Sequence, residues 1–337
     1  MRNLITDVPG VLVGNAHDAR AATGATVAVF ESSIVASVAT LGGAPGSRAV
    51  SLLEPEMTRG LIDAVVLSGG SLYGLDAAGG ASAVLCAQGK GAQFGGIVLP
   101  VAVQAILFDL MNGGEKEWLK DPMKHRPPYW DLGRDATLAA GKDFALGTVG
   151  AGYGATTVNL KGGLGSTSAT TSQGFTVGAL VAVNAVGAAT IGDGPHFWAG
   201  AYEQGGEFGD RGWPAKVPAS ALAPRFKGLP APATATTIAL VATDAKLTKA
   251  ECKRLAIMAN DGLSKALRPV HAPNDGDTVF AAATGRMGPG GDPAVLTEIG
   301  TAAADCLARA VARGVYEATA LPYKTSLPEY RRRFGSK

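Results

Sequence analysis

Ala235-Thr236-Thr237-Ile238-Ala239-Leu240-Val241-Ala242-Thr243 reads as a single buried strand. From 238 to 243 every residue is apolar or β-branched, with no polar alternation, which is how a strand covered on both faces reads. Thr248-Lys249-Ala250-Glu251 then makes a capping box, in which Thr and Glu satisfy each other's free backbone N–H groups. Behind it Cys252, Leu255, Ala256, Ala259 and Leu263 mark one apolar helix face. A second strand of the same character, residues 278–283, follows Asn274-Asp275-Gly276-Asp277. A strand, a capped helix and another strand, with both strands apolar throughout, predict a layered α/β fold.

The same alternation extends through the chain. Runs at 26–30, 64–67 and 175–183 read as further buried strands. Ser71, after two glycines, opens an Ala- and Leu-rich helix reaching residue 88. Asp292 as N-cap, with Pro293 at the first helical position, opens another that runs to about residue 318. Many of the 47 glycines follow apolar runs, as in DAVVLSGGSLYG (63–74), where they let the chain turn or approach a ligand closely. Residues 111–134 are polar and proline-containing and read as a surface excursion. Residues 201–235, rich in Pro, Ala and Gly, have no periodicity and read as a flexible loop; a loop of that length inside a compact domain usually has a function. There are no internal repeats, and residues 1–337 read as a single domain.

Composition narrows the function classes. Hydrophobic residues at 47% and charged residues at 17% describe a globular chain. The longest apolar stretch, 177–191, is glycine-rich and broken by Asn184, so no membrane span is expected. Asp7 and Pro9 interrupt the opening where a secretory signal needs an unbroken apolar core, and a cytoplasmic location is expected. Cys86, Cys252 and Cys306 are read as reduced thiols. The 30 basic residues nearly balance the 28 acidic ones, and no basic stripe with stacking aromatics suggests nucleic acid. His17, His125, His196 and His271 are dispersed without metal-ligand spacing and read as structural or surface residues; no metal or cofactor is expected.

Thr236 is where chemistry is expected. An irregular segment that delivers a Thr to the first position of a buried strand is what a self-processing hydrolase needs. The hydroxyl attacks the peptide bond before it by an N-to-O acyl shift, and hydrolysis of that ester frees a new N-terminus. The liberated α-amine, whose pKa lies near neutrality, can serve as base for its own hydroxyl. Asp275 and Asp277 stand one residue apart at the entrance of the second strand, able to orient a hydroxyl or ammonium and to share a proton. Taken alone, a β-branched strand start and an Asx-turn account for the same residues.

ATTIALVATDAKLT (235–248) and RPVHAPNDGDTVFAAAT (268–284), which hold these residues, resemble the DmpA-like peptidases. That family holds L-aminopeptidase/D-amidase/D-esterases, β-peptidyl aminopeptidases and nylon-oligomer hydrolases. The blocks DVPGVLVGNAHD (7–18), DAVVLSGGSLYGLDAAGG (63–80), VGAGYGATTVNLKGGLGS (149–166) and TVGALVAVNAVG (176–187) extend the similarity over almost the whole chain. The resemblance implies an αββα-type sandwich like that of the DmpA peptidases and ornithine acetyltransferases, and a homotetramer. It implies cleavage between Ala235 and Thr236, giving an α-chain (1–235) and a β-chain (236–337). It places the nucleophile at Thr236, the residues hydrogen-bonding it at Asp275 and Asp277, and an oxyanion-stabilising amide at Asn184. It puts a tyrosine lining the site at Tyr73 and a lysine near the nucleophile at Lys161. Read without it, Asn184 is a bulge residue, Tyr73 a packing residue and Lys161 a solvated charge.

The chain departs from the family twice. Ala235 stands where Asn or Gly is more common before the cut. Ile106, in VQAILFDL (103–110), stands where β-peptidyl aminopeptidases carry a glutamate that binds the substrate's free amine, and Asp109 or Asp275 would have to substitute for it. Four other readings compete. Asp275-Gly276-Asp277-Thr278-Val279 fits a haloacid-dehalogenase-type phosphatase motif, but precedes a strand where that chemistry needs its end. GAGYGA (150–155) is misspaced for a dinucleotide fingerprint. An uncut binding or scaffold relative, or an acyltransferase using the same nucleophile, remains as an alternative to a hydrolase of small peptides, amino-acid amides and esters, or ω-amino-acid oligomers.

Overall fold

A computed structural model describes residues 1–228, 235–324 and 326–335. In chain order the strands are β1 (Val11–Asp18), β2 (Thr23–Thr40), β3 (Ser47–Arg48), β4 (Leu61–Ser68), β5 (Ala92–Phe94), β6 (Ile97–Leu99), β7 (Ala102–Ile106), β8 (Leu164–Thr170), β9 (Thr176–Asn184), β10 (Thr236–Thr243) and β11 (Thr278–Ala283). The helices are α1 (Ala77–Ala87), α2 (Tyr129–Leu138), α3 (Lys249–Ala266), α4 (Pro293–Tyr316) and α5 (Tyr330–Phe334). β5 and β6 form a hairpin, and the other strands join in the order β3-β7-β4-β2-β11-β10-β9-β8, with β1 also on β2.

β2 is the hinge of this arrangement. Ala25–Val29 pair with β4, as do Ile34 and Val35 after a register shift in which Glu31, Ser32 and Ser33 are exposed, and residues 35–40 pair with β11. An irregularity of that kind bends a strand and raises its twist, so one strand serves two sheet halves that fold over each other. Period-two alternation then sorts the side chains. On β10, Ile238, Leu240 and Ala242 face inward to meet Val65, Leu67 and Val103 of the other half; Ala239 and Val241 face α3 and α4. Ala25, Val27 and Val66 turn outward to α1 and α2. The layers are helix, sheet, sheet, helix, and the all-apolar character of residues 238–243 follows from burial on both faces.

The sequence-level elements are present with shifted ends. The capping box forms at Thr248 and Glu251, and α4 is capped by Asp292. β1, β7 and β8 are strands that the sequence reading passed over. The expectation for residues 111–134 is corrected: within them Trp118 and Tyr129 are buried and meet edge to face at 6.0 Å, and α2 begins at Tyr129. Composition misled here because a polar, proline-containing run hides two aromatics that cover the outer face of β2 and β4. In the segment ahead of Thr236, Phe208 is buried and Glu207 takes the Nε and Nη2 hydrogens of buried Arg309 at 2.5 and 2.9 Å. The last part of the expected flexible loop, residues 229–234, lies outside the described residues. Among the described residues no helix is long and apolar enough to cross a membrane.

α4 approaches β8 at backbone contact: a methyl at Gly165 would lie 1.9 Å from the Ala310 carbonyl oxygen. Gly165→Ala is therefore expected to force α4 off the sheet and lower stability by about 3 kcal/mol. Thermal and urea melts of the purified variant check this.

Candidate active site

Strand parity and register bring the first two groups together. Thr236 pairs with Asn184, and both have the parity of residues that point between the two sheet halves. Thr236 is 4% exposed, and its Oγ1 donates to the Ala235 carbonyl oxygen at 2.5 Å. That carbonyl also accepts from the Gly276 N–H at 3.1 Å, because Ala235 bridges in parallel to Asp275. The Ala235–Thr236 peptide bond is thus held between the end of β9 and the acidic turn before β11.

The acidic turn is fixed by the loop after β2. The Asp275 carbonyl accepts from Ala44 N–H at 2.7 Å, and the Asp277 carbonyl accepts from Leu41 and Gly42. The two carboxylates then differ. Asp277 accepts from Thr237 N–H at 2.7 Å and from His271 N–H at 3.1 Å, with His271 Nδ1 at 2.9 Å, so it anchors the turn to β10. Asp275 is 1% exposed; Oδ1 accepts from Gly276 N–H at 3.1 Å, while Oδ2 has no hydrogen-bond partner among the described residues. Burial first, and the Asp277 carboxylate second, push its pKa well above the usual carboxylate range. Gly276 is what lets Thr236 sit beside this pair: a methyl there would lie 2.7 Å from Thr236 Oγ1 and 3.1 Å from the Ala44 carbonyl.

Asn184 is clamped rather than free. Its Nδ2 donates to the Phe108 carbonyl at 2.8 Å, and its Oδ1 accepts from Thr156 N–H at 3.0 Å and Lys227 Nζ at 3.1 Å. Lys161 is buried, donating to the carbonyls of Gly152, Ala155 and Gly162 at 3.1, 2.8 and 2.7 Å. Three carbonyls use its three hydrogens, so Lys161 is a caged cation and not a direct partner of Thr236; desolvation lowers its pKa to about 7. Tyr73 is 42% exposed on the 3-10 helix Ser71–Asp76 and forms no hydrogen bond with these groups among the described residues. Ile106 is 5% exposed and packs against Gly46, giving an apolar wall. Asp109 commits its two oxygens to Gly70 N–H at 2.8 Å and Thr23 Oγ1 at 2.6 Å, which leaves Asp275 Oδ2 as the open acceptor of the two.

Sequence reasoning missed two site residues. By sequence His271 reads as one of four dispersed histidines, and only its position six residues before Asp277 hints otherwise. Lys227 lay in the aperiodic segment, where a single lysine carries no local signal.

The model of Peptidase family S58 matches residues 3–326. The chain belongs to peptidase family S58. It is 42% identical to an uncharacterized aminopeptidase of Mycobacterium tuberculosis, over 98% of each chain. It is 38% identical to one of Mycobacterium leprae, over 97% of this chain and 93% of that one. Among solved structures it resembles a Burkholderia sp. beta-aminopeptidase, with a TM-score of 0.69 at 22% identity, covering 99% of this chain and 92% of the other. The L-aminopeptidase D-ala-esterase/amidase of Ochrobactrum anthropi aligns with a TM-score of 0.67 at 20% identity, covering 98% and 92%. The latter is described as a variant of the Ntn-hydrolase fold, and this S58 chain shares that architecture.

Because Gly276 leaves no room for a Cβ beside Thr236, Gly276→Ala is expected to displace the hydroxyl and reduce amide hydrolysis about a hundredfold. Turnover of amino-acid p-nitroanilides, read beside a melt showing a folded protein, checks this.

Proposed function

We propose that this S58 peptidase cuts itself between Ala235 and Thr236 and then works as an aminopeptidase or amidase with Thr236 as its N-terminal nucleophile. The observation that carries the reading is the scissile geometry: a buried Thr236 hydroxyl, the preceding carbonyl held by Gly276 N–H, and, on the turn bridged to Ala235, an Asp275 Oδ2 with no hydrogen-bond partner among the described residues.

In the uncut chain the Thr236 nitrogen is an amide and cannot act as a base. Asp275 fills that role in our reading. Its carboxylate takes the Oγ proton as Oγ attacks the Ala235 carbonyl carbon, and Gly276 N–H receives the negative charge on the carbonyl oxygen. The proton passes to the Thr236 nitrogen as the C–N bond breaks, leaving an ester. Water hydrolyses the ester to an Ala235 carboxylate and restores the hydroxyl. The new α-amine then acts as base for the same hydroxyl, with Asp277 anchoring the strand start and Asn184 near the reacting carbonyl of substrate. A substrate amide or ester forms an acyl-enzyme on Thr236, which water resolves.

The substrates proposed are small peptides, amino-acid amides and esters, or ω-amino-acid oligomers. The aminopeptidase names of the relatives support a substrate with a free amine. The apolar wall at Ile106 supports recognition of that amine by Asp275 or by no carboxylate at all. We further propose a cytoplasmic location and, as the family resemblance implies, a homotetramer of αβ units.

Intact mass under denaturing conditions tests the first step. Two fragments are expected, the smaller beginning Thr236-Thr237-Ile238, while Thr236→Ala stays whole and inactive; a cut or active Thr236→Ala protein sinks the assignment. The cutting rate should also follow the ionised fraction of Asp275. Since burial raises that pKa, the rate is expected to fall as pH drops through a limb lying above the ordinary carboxylate range, and Asp275→Asn should stay whole. Time courses between pH 5 and 9 on freshly refolded protein, roughly spanning that range, check the sign.

A further inference from the structure

We infer that Lys227, eight residues before Ala235, is a positioning residue for self-cleavage: it supplies the positive charge beside Asp275 that the new α-ammonium of Thr236 supplies after the cut. The inference rests on the self-processing reading above.

Lys227 belongs to the segment ahead of the cut, yet its head is in the site. Its main-chain N–H donates to the Val186 carbonyl at 2.9 Å, which continues the chain past the end of β9. Its Nζ donates to the Thr156 carbonyl at 2.8 Å, to Asn184 Oδ1 at 3.1 Å and to the Asn184 carbonyl at 3.4 Å. These acceptors are all neutral. An ammonium drawn out of water onto neutral acceptors is unfavourable unless a negative charge acts on it, and the carboxylate that does so is Asp275. Desolvation lowers the Lys227 pKa to about 7, while Asp275 opposes that fall.

The other charged groups around Asp275 do not provide this charge. Asp277 repels it. His271 is bonded to Asp277. Lys161 is caged by three carbonyls, with Asp109 as the carboxylate acting on it. Thr236 contributes no charge while its nitrogen is an amide. Lys227 is therefore the cation that favours the ionised form of Asp275 in the uncut chain, at the stage when Asp275 must accept the Oγ proton. Once the C–N bond breaks, the Thr236 nitrogen becomes an amine, and its protonated form lies one residue from the N–H that already contacts Asp277. The site then carries its own cation, attached to the nucleophile.

Lys227→Met, Lys227→Gln and Lys227→Arg test this. Cutting is followed by intact mass between pH 5 and 9, roughly the range in which the raised carboxyl and the lysine titrate, with a melt to record folding. Without the charge, Asp275 is harder to ionise, so Met and Gln are expected to slow cutting about tenfold below the limb and to move the acid limb up by about one pH unit. Gln retains a donor toward Thr156 and Asn184, so it separates charge from hydrogen bonding and stands in if Met does not fold. Arg is expected to keep the limb in place. Wild-type limbs in Met and Gln overturn the inference, as does equal slowing in all three with the limb unmoved, which is the mark of packing alone. A wild-type chain that stays whole at every pH removes both this inference and the self-processing reading; a wild-type chain that cuts while Met and Gln cut identically removes only this one.

Discussion

Strand β10 is hydrogen-bonded along both edges, antiparallel to β9 and parallel to β11, and the two pairings cannot slip independently. A shift of one residue against β9 would send Ile238, Leu240 and Ala242 from the space between the sheets to the helix side. Both faces of this strand are apolar, so polarity alone does not select the register; volume does. Leu240 and Ile238 fill the inner layer, and the smaller Ala239, with Val241, accommodates the close helices α3 and α4. Once that register is set, Thr236 lies opposite Asn184, Ile238 lies beside Thr278, and the Asp275–Asp277 turn arrives against Ala235. The site's geometry is thus a consequence of core packing several residues away.

That position has an electrostatic consequence. The mouth between two apolar sheets is a poor solvent for charge, yet Asp275, Asp277, Lys161 and Lys227 converge on it. An isolated buried ion costs several kcal/mol, so each must find compensation. Asp277 finds it in two backbone N–H groups and the His271 ring, and Lys161 in a cage of carbonyls. Asp275 is the least compensated, with one oxygen on the Gly276 N–H and the other without a hydrogen-bond partner among the described residues. Burial, with the Asp277 carboxylate adding to it, raises its pKa, which suits the proton-accepting role proposed for it.

Much of this was legible in the sequence. The unbroken apolar run of β10, the Thr248–Glu251 capping box and the Asp292–Pro293 helix start are local signals, set by backbone hydrogen bonding and burial, and they led directly to the layered fold. Thr236, Asp275 and Asp277 stood out because chemistry-bearing residues flank two strand entrances. What stayed hidden depends on contacts remote in the chain. Trp118 and Tyr129 sit in a polar stretch and are buried only because β2 and β4 present a face to them. Asn184 and Lys161 stand out only through the family resemblance, and their surroundings, one clamped by Phe108 and Thr156 and the other caged by carbonyls, come from the fold. Lys227 had no signal, since the partner that matters, Asp275, is 48 residues away.

Ala235, which departs from the Asn or Gly more common in the family, fits the same geometry. It is 1% exposed, bridged to Asp275, and its carbonyl takes both the Gly276 N–H and the Thr236 hydroxyl. Burial at that bridge sets a requirement for small size more than for a particular functional group. Alanine meets it while restricting the backbone more than glycine does, which reduces the conformational freedom lost in holding the bond. Nothing in the contacts of Ala235 calls for an asparagine amide: the donors to its carbonyl come from Gly276 and from Thr236 itself. The residue before the bond is passive, and the turn that follows α3 does the holding.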